Sequence, residues 1–345
     1  MGVALKDIVT KEEIELKDLK GKIIAIDAFN MLYQFLTTIR APDGNVFTDS
    51  SGRTTSHLIG LFSRLSRFLE AGLKPAFIFD GEAPELKKAE RARRRELKEE
   101  AQAKYEIAVQ EEDTDSMKKY AARTSRLTED MINDAKELIS AFGAPIIQAP
   151  SEGEAQAAFM VQNGDAYACV SQDYDSLLFG CQVLVHNLSI AGKKKKIKGI
   201  GFRTVKPEMI KLSELLNSLG IDRDGLIALG MLVGTDYNIG GIKGIGPKNA
   251  LKHVKQSAGD YEKMFNELKW SEFFDTQWKE VFNLFKTAKV TQNYSLSWKP
   301  ADKAMLQKIL VEQHNFSQER VNAVIEKLKA GDEEKKQASL NHFFS

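Results

Sequence analysis

The sequence predicts an α/β fold with a mostly parallel central sheet and helices on both faces. Short apolar runs rich in β-branched residues alternate with segments whose apolar residues recur at helical spacing. Runs 23–26 and 75–79 are continuously apolar, which is typical of strands buried on both faces of a parallel sheet. An acidic residue follows each run, and ligands in such sheets bind beyond the carboxyl ends of the strands. We therefore expect a functional site at that edge.

The composition is that of a globular protein. Of its 345 residues 43% are hydrophobic, enough for a full core in one large domain or two ordinary ones. The net charge of +1 gives no sign of a nucleic-acid partner, although such a sum can conceal blocks of opposite sign. Cys169 and Cys181 fit neither a disulfide nor a zinc pattern. With no signal peptide and no transmembrane run, we expect an intracellular protein without membrane contact, and a monomer by default.

Further elements follow along the chain. Helical spacing of apolar residues predicts helices at 56–69, 131–142, 224–233 and 317–329. Residues 166–171 are a third candidate strand, and 183–205 resemble strands interrupted by an exposed lysine turn at 193–196. The aromatic residues of segment 261–299 are most simply explained as core packing of short helices.

Carboxylates cluster after the predicted strands. A single acid after a strand is most often a helix N-cap, and Ser151 to Glu154 also fits a capping box for the helix that follows. So many acids at one sheet edge would repel one another and weaken the fold unless a cation lies between them. The sequence therefore predicts a divalent-metal site. Its candidate ligands are Asp27, Asp80, Glu152, Glu154, Asp173, Asp175 and Asp236.

Residues 81–130 interrupt the α/β pattern with charges that are sorted by sign. Residues 87–98 carry seven basic and two acidic side chains, whereas 99–115 carry seven acidic side chains and one basic. A pair of solvated helices is the favoured interpretation of an arbitrary charge run. A basic block directly after a strand-end acid is also where a phosphate-binding element would be useful. Both interpretations remain open at this level.

A glycine-rich turn lies between two predicted helices in residues 224–253. It contains Gly244, Gly246 and then Pro247, which suits the first turn of a helix. This pattern predicts a helix-hairpin-helix element. The glycines allow a phosphate to approach the backbone, and Lys248 adds positive charge, so contacts would go to the DNA backbone without regard to sequence. An ordinary helical turn explains two glycines but less readily the whole pattern.

The last residues of the chain have a different character. Small and charged residues at 330–336 predict a disordered linker. Within segment 337–344, one helical turn would place Leu340, Phe343 and Phe344 on one face, as an anchor for an apolar pocket on a partner. The alternative is that this tail, 330–345, folds back on its own domain. The charged linker favours a partner.

These features resemble the flap endonuclease family, the 5′ structure-specific nucleases related to XPG-type repair nucleases, over nearly the whole chain. The matching motifs are Ile26-Asp27-Ala28, Phe79-Asp80-Gly81, Glu152-Gly153-Glu154-Ala155, Gln172-Asp173-Tyr174-Asp175, Gly234-Thr235-Asp236-Tyr237 and Gly244-Ile245-Gly246-Pro247-Lys248. The tail also resembles the peptide by which such enzymes bind the sliding clamp, with Gln337, Leu340, Phe343 and Phe344 at its key positions. Eukaryotic members continue into a basic tail, so the resemblance is to the archaeal type. A cytoplasmic, nucleoid-associated location is then expected rather than a nuclear one.

The resemblance implies a single nuclease domain over 1–329, in which 81–130 is a helical arch that a 5′ flap threads. It implies that the candidate acids surround two Mg²⁺ ions, with Mn²⁺ as an alternative, and that the helix-hairpin-helix element holds duplex DNA with a K⁺ ion. The absence of His and Cys from the candidate ligands agrees with Mg²⁺, which prefers oxygen ligands.

The resemblance also assigns roles to single residues. Lys87, Arg94 and Asp173 are the implied catalytic residues, with Lys87 and Arg94 reaching the scissile phosphate. Tyr33 is implied to stack on a base near the cut, and Arg40 to contact substrate.

The activity implied is that of a 5′ flap endonuclease with 5′–3′ exonuclease activity, hydrolysing phosphodiester bonds at flap–duplex junctions in replication and repair. Two alternatives remain open. One is a clamp-bound scaffold or DNA-junction binder whose acids are structural, which would show no Mg²⁺-dependent cleavage. The other is a 5′–3′ exonuclease or a bubble-cutting repair nuclease, which would differ in its preference among flap, gapped, bubble and blunt substrates. The length of the arch segment favours flap cutting.

Overall fold

The computed structural model describes residues 2–41, 44–111, 113–195 and 202–343. The strands in these ranges are β1 (Glu12–Glu13), β2 (Ile23–Asp27), β3 (Lys74–Phe79), β4 (Ile146–Gln148), β5 (Ala168–Val170), β6 (Val183–His186), β7 (Gly192–Lys195), β8 (Phe202–Val205) and β9 (Glu208–Lys211). The α-helices are α1 (Ala28–Thr38), α2 (Ser56–Glu70), α3 (Lys88–Gln110), α4 (Thr114–Arg123), α5 (Glu129–Ala141), α6 (Gly153–Gln162), α7 (Asp175–Leu178), α8 (Leu212–Leu219), α9 (Arg223–Val233), α10 (Pro247–Ser257), α11 (Tyr261–Glu267), α12 (Trp270–Phe273), α13 (Trp278–Lys286), α14 (Lys303–Gln307) and α15 (Gln318–Phe343). Short 3₁₀ turns lie at Leu16–Leu19, Glu85–Lys87 and Leu188–Ile190, and a π-helical turn at Lys308–Gln313.

Seven strands form one sheet in the order β1-β9-β6-β5-β2-β3-β4. The strands from β6 to β4 pair in parallel, and β9 and β1 extend the other edge in antiparallel pairing. The predicted fold class, a mostly parallel sheet covered by helices, is confirmed. Strands β7 and β8 form a separate antiparallel ribbon.

Strand β2 shows why this sheet is buried on both faces. Its central residues Ile24, Ala25 and Ile26 are all fully buried. Because successive side chains point to opposite faces, Ala25 belongs to one hydrophobic core and Ile24 and Ile26 to the other. The first core contains side chains from α6 and α9, and the second contains side chains from α1, α2 and α5. A continuously apolar run is what a strand between two cores requires.

The aromatic segment packs as predicted except at Phe273, which is 43% exposed. Phe265, Trp270 and Phe285 are buried in the first core, on helices α11, α12 and α13. The Phe265 ring stacks on Trp278 with ring centroids 4.9 Å apart.

Two local predictions differ from the structure. Lys193 to Lys195 lie in strand β7 rather than in the predicted turn, because their backbone pairs with β8. Lys196, the fourth lysine of the predicted turn, lies outside the described residues. The backbone of α15 continues through residues 330–343, where the sequence predicted a linker.

The predicted tail peptide is only partly covered by the structure. The side chains of Gln337, Leu340 and Phe343, and the whole of Phe344, lie outside the described part of the chain. The tail's role therefore stays a prediction. Among the helices of the described residues, none is long and apolar enough to cross a membrane.

Helices α1 and α2 cross at a contact that only glycine permits. A Cβ atom at Gly60 in α2 would lie 2.2 Å from Cγ of Phe35 in α1, and the Phe35 ring is buried in the second core. Interiors are packed so closely that a bulky ring in such a position cannot move without disturbing its neighbours. Helix α1, whose N-cap is Asp27, therefore packs against α2 at this point with no room for a larger side chain at position 60.

Gly60→Ala should therefore destabilise the protein, although alanine favours helix by about 1 kcal/mol over glycine. Overpacking costs about 1–3 kcal/mol, so we expect a net loss of up to about 2 kcal/mol in the free energy of unfolding. Guanidinium chloride denaturation measures this. Ser63→Ala, at an exposed position of the same helix, is the control and should change stability by less than about 0.5 kcal/mol. Equal stability of the Gly60 variant and wild type would contradict the packing argument.

Candidate active site

Asp27 and Asp80 lie where two neighbouring parallel strands end. Asp27 is the last residue of β2, and Asp80 directly follows β3. The Asp27 carboxylate accepts a hydrogen bond from the Asn30 amide at 2.9 Å, so it also caps α1. Asp80 accepts one from the Gly153 amide at 2.8 Å. The N-cap interpretation is confirmed for Asp27, and it does not remove this residue from the edge of the sheet.

The acids at the start of α6 do not form the predicted capping box. Glu152 is the N-cap residue, and its side chain makes no capping hydrogen bond. The Ser151 hydroxyl donates to the Glu82 carbonyl at 2.9 Å, and Glu154 accepts from the Ser171 hydroxyl at 3.1 Å. The capping-box prediction was wrong because both side chains of the motif have tertiary partners.

Asp173 and Asp175 are bound by the first residues of the chain. The Gly2 amide donates to Oδ1 of Asp173 at 3.0 Å, and the Val3 amide donates to Oδ1 of Asp175 at 2.7 Å. A Cβ on Gly2 would lie 2.7 Å from Oδ2 of Asp175, so the backbone approaches this closely because residue 2 is glycine. Oδ2 of Asp173 accepts from Nδ2 of Asn30 at 2.8 Å. These amides offset part of the negative charge.

Burial and mutual repulsion raise the pKa values of several of these carboxyls. Burial, followed by repulsion from Asp80, raises the pKa of Asp27 to about 8. Burial also raises the pKa of Asp175 to about 7, with contributions from Asp236 and Asp173, and that of Asp80 to about 6, with Glu152 as the charged neighbour. Burial is the largest cause for each group, and repulsion between neighbouring carboxylates raises the pKa values further.

Glu154 completes this coupled set. Burial raises its pKa well above the usual range, and Asp175, Asp27 and Asp173 raise it further. These predicted acids at one sheet edge therefore lie close enough to raise one another's pKa values.

Two cationic side chains of the basic block, Lys87 and Arg94, contact this cluster. Nζ of Lys87 is 2.6 Å from Oε2 of Glu152 and 3.2 Å from Oδ2 of Asp236. A terminal nitrogen of Arg94 donates to Oδ1 of Asp236 at 2.7 Å. Burial lowers the pKa of Lys87, but Glu152 and Asp236 outweigh it and hold that pKa above its ordinary value. Lys87 thus stays charged at the site.

The donor chemistry of the cluster suits a hard divalent cation. The candidate ligands are carboxylates, whose oxygens Mg²⁺ prefers. In the described part of the chain, no three His, Cys, Asp or Glu side chains are grouped closely enough to hold one ion by themselves. Mg²⁺ commonly keeps several waters and takes only one or two carboxylates directly, so a dispersed set of acids is compatible with it. Burial and repulsion from neighbouring carboxylates both raise these carboxyl pKa values, so a nearby cation would favour the ionised forms.

Tyr33 and Arg40 lie near the same basic block. Nζ of Lys98 sits 5.2 Å from the centroid of the Tyr33 ring, which is 37% exposed on α1. Arg40 donates hydrogen bonds to the Gly44 carbonyl at 2.8 Å and to the Ser125 hydroxyl. These contacts join the end of α1 to the segment that follows α4. A partly exposed ring beside cations could stack on a nucleobase.

The predicted helix-hairpin-helix element is formed by α9 and α10. Pro247 is the first residue of α10 and Gly246 is its N-cap. Gly244 has φ +87°, a left-handed conformation that favours glycine, and no atom lies near where its Cβ would be. Gly244, Gly246 and Lys248 are exposed. The start of α10 is therefore accessible to an anion.

Several contributors to the site escaped sequence reasoning. The Gly2 and Val3 amides are far from their partners along the chain, so no local pattern indicates them. Asn30 and Ser171 were detectable in principle, because each lies within three residues of a predicted acid. Glu90, a buried acid inside the basic block, was counted only as a minority charge.

Comparison with known proteins agrees with this geometry. Residues 1–101 match the XPG N-terminal domain, and residues 143–236 match the XPG I-region. Flap endonuclease 1 of Pyrococcus horikoshii is 48% identical over 344 residues, covering 100% of this chain and 98% of the relative. Among solved structures, flap endonuclease-1 from Methanococcus jannaschii has a TM-score of 0.75 and 41% identity, covering 97% of this chain and 100% of that one. The catalytic core of Rad2 in complex with DNA substrate has a TM-score of 0.67 and 26% identity, covering 95% and 100%.

The acidic sheet edge beneath a charged helical insertion, together with these two domain matches, defines the class of XPG-type nucleases. The match of the chain to its relatives over nearly its full length is more specific than the two domain matches. The chain belongs to the flap endonuclease 1 family, in its archaeal branch. The resemblance inferred from the sequence motifs is confirmed.

The raised pKa values predict how the metal-free protein responds to pH. An Asp27 carboxyl with a folded pKa near 8 and an ordinary value of 3.8 stabilises the fold fully below 3.8, and this contribution is lost as pH rises through the folded pKa. With EDTA present, the gain in melting temperature from Asp27→Asn should therefore be larger at pH 9 than at pH 5. Asparagine keeps an acceptor for the Asn30 amide.

The matched control is Asp302→Asn, which replaces another N-cap acid, bound to the Met305 amide and remote from the cluster. Its effect on melting temperature should not grow between pH 5 and pH 9. A pH-independent effect of Asp27→Asn would show that repulsion at the site does not influence stability.

Proposed function

We propose that the protein cleaves 5′ flaps from branched DNA at the junction between flap and duplex, and that it also acts as a 5′–3′ exonuclease. The observation that carries this proposal is the direct pairing of Lys87 and Arg94 with Glu152 and Asp236. This pairing brings two cations of the basic block to the acidic edge of the sheet, where they are proposed to bind a substrate phosphate. The family membership supplies the reaction, since the named relatives are flap endonucleases.

The chain's own residues divide into two groups in this reaction. The seven carboxylates from Asp27 to Asp236 are proposed to hold two Mg²⁺ ions, which Mn²⁺ can replace. When bound, such ions supply Lewis-acid stabilisation of the phosphate and a more acidic water. Once Glu152 and Asp236 are neutralised, Lys87 and Arg94 are free to donate hydrogen bonds to the scissile phosphate and to stabilise its developing charge. No protein nucleophile is needed.

The helical insertion is proposed to be the arch that selects a flap. Helices α3 and α4 lie between Asp80 and α5 along the chain, and α3 carries Arg94 and a largely exposed charged surface, with Lys87 directly before its first residue. We propose that a single-stranded flap threads beneath this arch. Tyr33, beside Lys98, is proposed to stack on a base near the cut, and Arg40 to contact substrate at the end of α1.

The turn before α10 is proposed to hold the duplex part of the substrate. Its glycines and the free amides at the helix start can contact a phosphate, with Lys248 adding charge and a K⁺ ion as a bridging cation. Because such contacts ignore base sequence, the enzyme would recognise shape alone. We also propose one nuclease domain over 1–329, acting as a monomer in the cytoplasm on chromosomal DNA.

Asp173→Ala should abolish Mg²⁺-dependent cleavage of a labelled flap while duplex binding remains measurable. The carboxylate lost accepts hydrogen bonds from Gly2 and Asn30, so it lies within the cluster rather than at its margin. The assay compares flap, gapped, bubble and blunt substrates, each with Mg²⁺ and with EDTA. Asp275→Ala, at an exposed position, is the control and should cut as wild type does. Normal cutting by the Asp173 variant would remove it from the site, and equal rates on all four substrates would refute flap selectivity.

The carboxyl-terminal residues 337–344 are proposed to bind the sliding clamp. Replacing both Phe343 and Phe344 with alanine should weaken clamp binding by at least about tenfold per ring, because buried aromatic anchors dominate such interfaces. Calorimetry with the clamp measures this, and cleavage without the clamp should be unchanged. Asn341→Ala in the same segment is the matched control. Unaltered affinity of the double variant would show that the tail has another role.

A further inference from the structure

Glu90 is a buried acid in a helix whose other charged side chains are exposed or half-buried. The buried residues of α3 are Glu90, Ala101 and Ala108, and Glu90 is 2% exposed. A buried carboxylate is costly unless it is paired and hydrogen-bonded. Its position within the basic block, four residues before Arg94, therefore calls for a specific partner.

The Glu90 carboxylate accepts three hydrogen bonds from two arginines. Arg93 binds it in bidentate fashion, from Nε to Oε2 at 2.7 Å and from a terminal nitrogen to Oε1 at 2.8 Å. Nε of Arg94 donates to Oε1 at 2.6 Å. A terminal nitrogen of Arg94 donates to Oδ1 of Asp236 at 2.7 Å. Glu90 and the acidic cluster thus hold the same guanidinium through two different nitrogens.

This geometry fixes the orientation of Arg94 but leaves it available. A hydrogen bond at Nε sets the plane of the guanidinium. One terminal nitrogen is bound to Asp236, and once that contact is released both terminal nitrogens can make a planar bidentate contact such as one with phosphate. Arg93 offsets the charge of Glu90, so the carboxylate does not cancel the positive charge of Arg94. Glu100 and Lys104, on the same helix, form an exposed ion pair without the burial and the two arginine partners that Glu90 has.

We infer that Glu90 is a positioning residue for flap cleavage, which orients Arg94 toward the scissile phosphate. The inference rests on the proposed function, since it gives Arg94 a phosphate to bind. The competing explanation is that Glu90 only supports the helix, as an i,i+4 ion pair does. The two explanations differ in one measurable respect: positioning through Arg94 has no effect once Arg94 is gone.

A double-mutant cycle on single-turnover flap cleavage tests this. Arg94→Ala should slow cleavage by orders of magnitude but leave a measurable rate. Glu90→Ala should slow it at least about tenfold with Arg94 present and less than about twofold in the Arg94→Ala background. Glu90→Gln should lie between, because its amide oxygen still accepts from Nε of Arg94. Dissociation constants for the flap substrate, measured with Ca²⁺, should change less than about threefold in the Glu90 variants.

Glu100→Ala is the matched control and should cleave at the wild-type rate, because its partner Lys104 is on the exposed face of α3. Equal slowing by Glu90→Ala in both backgrounds, or no slowing at all, would overturn the inference. If Glu90→Ala fails to fold, as judged by circular dichroism, Glu90→Gln in both backgrounds completes the cycle. Failure of the wild type to cut flaps would instead refute the proposed function. If the Glu90 variants cleave at the wild-type rate while Arg94→Ala is slow, the positioning role of Glu90 is refuted but the role of Arg94 is not.

Discussion

Repulsion among buried carboxylates is the constraint on which the rest of the structure depends. A parallel sheet brings the carboxyl ends of its strands to one edge, and here those ends place Asp27 and Asp80 beside the acids at the start of α6 and those that follow β5. Burial denies these groups the water that would screen them. Backbone amides and two cations around the cluster offset part of this cost. The negative charge that is not compensated gives the cluster an affinity for further cations.

The same constraint ties the helical insertion to the sheet. Lys87 and Arg94 belong to the base of the insertion, yet their partners Glu152 and Asp236 belong to the nuclease core. The position of α3 and the charge state of the cluster are therefore linked. Any ligand that competes for these two carboxylates also loosens the base of the insertion. Binding of cation and substrate at this site are thus expected to be interdependent rather than separate events.

Particular residues show how far the sequence determines this picture. Asp27 and Asp80 could be placed correctly, because apolar strands that run in parallel end at one edge whatever lies between them. The capping box at Ser151 was misleading, since a local motif competes with tertiary partners that the sequence does not reveal. The roles of Lys87 and Arg94 came from the family resemblance, because spacing alone could not separate them from other basic residues. The function of Glu90 needed its burial to be known.

The amides of Gly2 and Val3 have a consequence for how the molecule is made. Their hydrogen bonds to Asp173 and Asp175 join residues 171 and 172 positions apart, and Val3 and Leu5 are buried beside them. A growing chain must therefore emerge well past Asp175 before its first residues find their place. Contacts of such long range form late, because the loop must close before they stabilise anything. An unfinished chain carries an incomplete cutting site, so nuclease activity should appear only after most of the protein has been synthesised.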